Sequence, residues 1–464
     1  MLNPYIEAYE LRELVLKKEV KLREVAEFFI ARVQKLNPKL GAFMTITPER
    51  ALADADRLDK MSDAERHRAP LFGVPYSIKD LNWTKDIPTS MGSKNYENFM
   101  PPADDETVTR MRNSGGILLG KTATPEFGGR PTTEGGLCPP ARNPWNLERT
   151  AGGSSGGAGS ALAAGLGPIA QGSDGGGSIR IPSACCGVVG IKPSRGRVSL
   201  SPIAGEAWAG FATDGPMARS VRDVATMLDV MQGPVVGDPY WAPAPVTSFK
   251  AAVESTPRHL RIGMISKTSL AKVDSETLDA LDSAAKVLEQ MGHRVEPISC
   301  DPGGRLRDIV IPVICAGVGS TPVKDINLVD PVVRELWDAG QKITAVEYIT
   351  KVTQMHNMSR EIVQELAPYD AVISPVTSSP AVKLGTLPSH PGKYLDELLE
   401  WIPFTFPFNA TGQPAFSVPT GFSKSGLPLA MQIVGRQADE VTIIGLAAQF
   451  EKARPWKDKH PPID

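Results

Sequence analysis

Gly172-Ser173-Asp174-Gly175-Gly176-Gly177-Ser178-Ile179-Arg180 sets a serine directly behind three glycines. A second cluster, Gly152-Gly153-Ser154-Ser155-Gly156-Gly157, precedes it. Glycine lets the backbone approach a bound molecule with no Cβ in the way. The successive N–H groups of Gly175, Gly176 and Gly177, with that of Ser178, can turn toward one point and hold an oxyanion. Together the two clusters read as a nucleophile and its oxyanion hole. A third group stands far upstream: Lys79, in Leu71-Phe72-Gly73-Val74-Pro75-Tyr76-Ser77-Ile78-Lys79-Asp80, where an apolar stretch ends in a cation and an acid.

A serine hydroxyl is a weak nucleophile that needs a base within hydrogen-bond reach and donors placed where negative charge develops. None of the six histidines, His67, His259, His293, His356, His390 and His460, lies in either cluster, so no Ser-His-Asp arrangement is evident. A lysine acts as base only when neutral, which requires burial or a nearby cation. Each residue also has a plainer reading. Glycine-rich loops often cradle phosphate, but neither G-x-x-x-x-G-K-[ST] nor a well-placed G-x-G-x-x-G with a downstream acid is present. Lys79 taken alone reads as a lysine paired with Asp80. Asp174 and Arg180 read as a structural ion pair, and Cys315 as a small buried hydrophobe.

With these residues the chain resembles the amidase signature family of hydrolases. The resemblance extends to Gly120-Lys121-Thr122 with Pro125-Glu126-Phe127, to Asn143-Pro144-Trp145-Asn146, and to Gly187-Val188-Val189-Gly190-Ile191-Lys192-Pro193. It continues in Gly215-Pro216-Met217-Ala218-Arg219 and Asn409-Ala410-Thr411-Gly412-Gln413-Pro414-Ala415. It implies a Ser-Ser-Lys triad in which Ser178 attacks, Ser154 relays the proton and Lys79 is the base, with a cis Gly153–Ser154 peptide bond. It implies no metal and no organic cofactor. The expected substrate is a small hydrophobic or aryl amide, with esters and carbamates open to the same acyl chemistry. Gly128 and Gly129, in the loop after Phe127, are expected to line the acyl side, and the aromatic run Trp401 to Phe408 to help wall the pocket. Two departures stand out: Gly175, where members usually carry threonine, isoleucine or leucine, and Ala430, where glycine is usual. Two alternatives remain. One is the glutaminase subunit of a tRNA-dependent amidotransferase, although the stretch from about 325 to 369 does not resemble the glutamine-binding region of those subunits. The other is a non-catalytic binding protein on the same fold.

Over 464 residues, 41% hydrophobic and 22% charged content suits a large soluble core, and a net charge of −2 offers no attraction to nucleic acid or an anionic membrane. Five cysteines with no C-x-x-C pair indicate neither a disulfide framework nor a zinc site. A reducing cytoplasm fits. The start has no basic and apolar leader pattern, so neither export nor a membrane anchor is expected. A homodimer is left open.

Helix-period runs at about 5–37, Ser160 to Leu166, Ser220 to Met231 and Ser275 to Met291 alternate with short β-type runs. These are Gly116 to Gly120, Leu260 to Met264 and Ala371 to Pro375. The spacing predicts one α/β domain over 1–464, a large mixed, mostly parallel twisted sheet covered by helices on both faces. Asn37-Pro38 is expected to stop the N-terminal helical segment. The signature core runs from about 71 to 235. A proline-rich surface connection spans Val235 to Pro257, and a C-terminal part from about 258 to 464 completes sheet and pocket.

Overall fold

The computed structural model describes residues 2–257, 259–388 and 392–463; His390 lies outside them. Its strands are β1 Phe43–Ile46, β2 Pro75–Lys79, β3 Ile117–Thr122, β4 Arg142–Asn143, β5 Asn146–Thr150, β6 Ile169–Asp174 and β7 Val189–Lys192. They continue with β8 Thr213–Ala218, β9 Arg261–Met264, β10 Arg294–Pro297, β11 Ala371–Pro375, β12 Ala415–Phe422 and β13 Pro428–Gly435. Among the described residues, eleven of them form one sheet in the order β1-β3-β2-β6-β8-β7-β12-β13-β11-β9-β10, with β4 and β5 a separate ribbon.

Several strands are apolar on both faces, as strands covered by helices on each side must be. Neighbouring residues go to opposite sides with the pleat. Ile373, Phe416 and Ile433 enter one core, with Val224 and Leu228 of the helix Val221–Met231 and Ile443 and Leu446 of the helix Glu440–Ala453. Their neighbours Val372, Ala415 and Val434 enter the other, with Leu306 and Val310 of the helix Pro302–Gly319.

The sheet is mixed, but it is not mostly parallel. Only β2–β3, β2–β6, β9–β10 and β9–β11 run parallel, whereas the six other neighbouring pairs are antiparallel. A parallel pair needs a long crossover, while strands joined by a tight turn must oppose each other. The centre contains such a turn, closed by Ser423 N donating to Leu427 O (2.8 Å) between β12 and β13. Alternating helix and strand patterns reveal crossovers, not which strands become neighbours.

The N-terminal segment corrects a second expectation. Asn37-Pro38 does not stop the helix, which runs Leu22–Leu40 with Pro38 inside its last turn. It ends at Gly41, which takes the left-handed conformation (φ 61°) that a Cβ would oppose, and whose N–H caps Asn37 O at 2.8 Å. The helix expected at Ser160 to Leu166 begins earlier, at Gly156, because the glycine cluster itself supplies its first turn. Ser220 is the N-cap of its helix, its side chain accepting from Asp223 N.

Strands β2, β3 and β6 are adjacent and parallel, so their C-terminal ends share one edge of the sheet. Lys79 is the last residue of β2, the loop carrying Gly128 follows β3, and the triple glycine follows β6. Carboxyl ends of parallel strands are where α/β sheets open clefts.

Candidate active site

Lys79 is fully buried, and its Nζ donates to Ser154 Oγ at 2.7 Å and to Ser173 Oγ at 2.9 Å. Burial pulls its ammonium down from 10.5 to about 7, against the opposing pull of the Asp214 and Asp174 carboxylates. Its backbone is held by a chain of side chains: Lys79 N donates to Gln171 Oε1 (3.0 Å), Gln171 Nε2 to Asn82 Oδ1 (2.9 Å), and Asn82 Nδ2 to Asp214 Oδ2 (2.6 Å). The plainer reading of Lys79 as the partner of Asp80 fails. Asp80 pairs instead with the buried Lys121, at 3.3 Å.

The Gly153–Ser154 peptide bond is cis. The loop is tied to its surroundings by Gly156 N donating to Thr133 Oγ1 (3.0 Å) and by Ser155 N donating to Ser178 O (3.1 Å). The second of these bonds joins the two glycine-serine clusters. The Ser178 hydroxyl takes no hydrogen bond among the described residues, and Ser178 lines a narrow, mostly apolar cleft with about 50 Å³ of room for water-sized molecules.

Of the four backbone donors expected for the oxyanion, Gly177 N is already engaged, donating to Asp174 Oδ1 at 2.8 Å. Gly175, Gly176 and Ser178 line the cavity, and their N–H groups have no acceptor among the described residues. Asp174 is the organiser of this turn. Its carboxylate also accepts from Ile179 N (3.1 Å), Arg180 Nη2 (2.8 Å) and Asn409 Nδ2 (2.9 Å). Against the cost of its burial, the Arg180 guanidinium holds that carboxyl well below the usual range. Asp174 and Arg180 are thus a fully buried ion pair under the loop. Replacing Asp174 by alanine strands the Arg180 charge in the interior, and denaturant unfolding is expected to show a loss of about 3–5 kcal/mol. A loss below about 1 kcal/mol would contradict that role.

Gly128 and Gly129 both line the cavity, and a Cβ on Gly128 (φ +68°) would stand 3.2 Å from Ser154 Oγ. Arg130 also reaches the wall but is engaged by Asp330 (3.6 Å) and by Leu387 O (2.9 Å). From the aromatic run, Ile402 and Phe406 face the cavity, while Phe404 and Phe408 belong to the core. Cys315 is buried outside the lining, and burial pushes its thiol up to about 11. No histidine lines the cavity among the described residues. Sequence reading missed the remaining apolar wall, including Trp208, Ile311, Ile314 and Leu398, which comes from segments with no motif. Trp208 also accounts for the departure at Gly175: a Cβ there would meet the indole at 3.0 Å, so the ring takes the space of the missing side chain.

The amidase family model matches residues 24–444. The chain belongs to the amidase family. It is 34% identical to an acylamidase of Rhodococcus erythropolis over 98% of its own length and 97% of the relative's. The solved structure of 6-aminohexanoate cyclic dimer hydrolase complexed with substrate superposes with a TM-score of 0.92 at 31% identity, covering 100% of each chain. A bacterial aryl acylamidase described as an amidase signature enzyme gives a TM-score of 0.89 at 27% identity, covering 97% of each chain. This amidase is therefore a hydrolase of carbon–nitrogen bonds in amides. No helix among its described residues is long and apolar enough to cross a membrane.

Proposed function

We propose that this amidase cleaves small, apolar carboxylic amides, aryl amides among them, through an acyl-enzyme on Ser178. The observation that carries the reading is the buried Lys79 Nζ, 2.7 Å from Ser154 Oγ, beside a cavity lined by Ser178 and by three backbone donors that are unengaged among the described residues. Neutral Lys79 accepts the Ser154 proton as Ser154 accepts that of Ser178. The Ser178 oxygen bonds to the carbonyl carbon, and the negative oxygen is held by the N–H groups of Gly175, Gly176 and Ser178. The C–N bond then breaks as Ser154 returns the proton to the leaving amine. Water, deprotonated by the same relay, splits the ester and frees Ser178. One missing oxyanion donor typically costs about 10²–10³ in rate.

The apolar wall supports the substrate class. Ile181, Ile311, Ile314, Leu398, Leu399 and Phe406 line it, and its one guanidinium, Arg130, is already paired among the described residues. Glutamine would bring an α-ammonium into a wall whose described lining holds no carboxylate to meet it, a cost that disfavours the glutaminase reading.

Mass mapping after brief exposure to an aryl ester or aryl carbamate is expected to place the acyl or carbamoyl group on Ser178. On an acetanilide, kcat/KM should rise with pH through an apparent pKa of about 7, because the neutral lysine is the competent form and acid holds it as ammonium. A label on another residue, or activity that falls across that range, would overturn the mechanism. Glutamine as the best substrate would overturn the assigned class.

A further inference from the structure

Trp208 lies in the connection between β7 and β8, where it and Ala209 both take the left-handed backbone, at φ 55° and 54°. That conformation is costly for non-glycine residues and persists only where the surroundings hold it. Here Ala212 N donates to Ala207 O (3.2 Å), Gly210 N to Glu206 Oε2 (2.7 Å) and Arg195 Nε to Gly210 O (2.8 Å). The result aims the indole between two glycines. On its six-membered edge, a Cβ on Gly175 would stand 3.0 Å from Cζ3 and 3.1 Å from Cε3. On its five-membered edge, a Cβ on Gly317, in the helix Pro302–Gly319, would stand 2.3 Å from Cδ1 and 2.7 Å from Nε1. No side chain fits at position 317 while the ring is seated, and one at 175 fits only if the ring gives way.

We infer that Trp208 is the specificity-determining residue of the acyl side of the cavity, a rigid wall set in a notch between Gly175 and Gly317. The inference rests on the reading of Ser178 as nucleophile, because that reading makes the end near Gly175 the place where the carbonyl sits. Most of the remaining wall is aliphatic and yields by changing rotamer, whereas the indole can yield only by leaving its notch. With the ring seated, the space beside the carbonyl carbon suits flat or slender acyl groups, aryl or unbranched alkanoyl. Acyl groups branched at the α-carbon collide with it. Vacating the notch exposes two glycines and opens a slot between the end of β6 and the helix Pro302–Gly319.

The test is a series of p-nitroanilides of acetic, butyric, benzoic and pivalic acids, with acetamides of amines of increasing bulk as a second series. Each is measured on the wild type, Trp208→Phe, Trp208→Ala, Gly175→Ala and the double variant Gly175→Ala/Trp208→Ala. Trp208→Ala is expected to raise the pivaloyl-to-acetyl ratio of kcat/KM by about tenfold or more, the scale of steric discrimination in apolar pockets. Trp208→Phe should fall between, and it keeps the test alive where alanine loosens the loop. Whatever Gly175→Ala costs through the oxyanion site, its cost on slender acyl groups should be about threefold or more smaller in the Trp208→Ala background than in the wild type, a coupling expected of side chains in contact. Ratios unchanged within about twofold in both Trp208 variants, additive effects of the pair, or a shift confined to the amine series would overturn the inference. Failure of the underlying mechanism is seen separately, as turnover that survives Ser178→Ala.

Discussion

Replacing Ser178 by alanine is expected to lower kcat by about 10⁶-fold on every member of a panel of acetanilide, aliphatic amide, aryl ester and aryl carbamate, while the melting temperature stays put. The size follows from covalent catalysis. Without the nucleophile no acyl-enzyme forms, and what remains comes from binding and the oxyanion donors. The thermal half follows from the structure. The Ser178 hydroxyl has no hydrogen bond among the described residues, and of the bonds that join the two clusters the one made by Ser178 uses its carbonyl, accepting from Ser155 N at 3.1 Å. Alanine keeps that carbonyl. Turnover surviving within about tenfold would remove Ser178 from the mechanism, and equal loss of folded protein would make the kinetic result uninterpretable. Activity and melting are therefore read on the same preparation.

Lys79→Met is expected to cost about 10²–10⁴-fold in kcat/KM, the usual contribution of a positioned base, and to abolish the pH limb near 7. Methionine approximates the length of the lysine stem in a site of zero exposure, so the packing is nearly conserved. What is lost is the Nζ that meets Ser154 Oγ at 2.7 Å and Ser173 Oγ at 2.9 Å. The sign of the pH effect is the sharper test. Burial has lowered the lysine pKa to about 7, so the wild type gains activity as pH rises through that value and loses it below, where the ammonium dominates. A variant with low residual activity and no limb supports Lys79 as the base. A variant with the limb intact would assign the titration to another group, with Lys192, which burial also pulls down to about 7, as the next to replace.

The parts of the site legible along the chain are those whose chemistry depends on residue type within one loop. Gly175 to Ser178, Ser154 and Lys79 each sit in a short, unusual stretch; Lys79 ends β2 and the triple glycine follows β6 at one edge of the sheet, while Ser154 stands just before the helix Gly156–Ala163. The count of backbone donors was less legible. Nothing in three consecutive glycines tells that Gly177 N turns inward to Asp174 while its neighbours stay unengaged. The same holds for Asp80, whose partner is not the adjacent lysine but Lys121 across a strand.

The chain's own order determined the alternation of helix and strand, the glycine-serine clusters and lysine of the candidate site and the absence of a histidine in those clusters, because hydrophobic period and residue type are local properties. Tertiary structure alone decided the strand order, the predominance of antiparallel pairing and the apolar wall, because these depend on which distant segments pack together. Gly175, Trp208 and Gly317 show the difference most plainly. Trp208 and Gly317 are unremarked in their own stretches of sequence, Gly175 stands out only for its glycine neighbours and as a departure, and only the fold brings an indole against two glycines that leave it room.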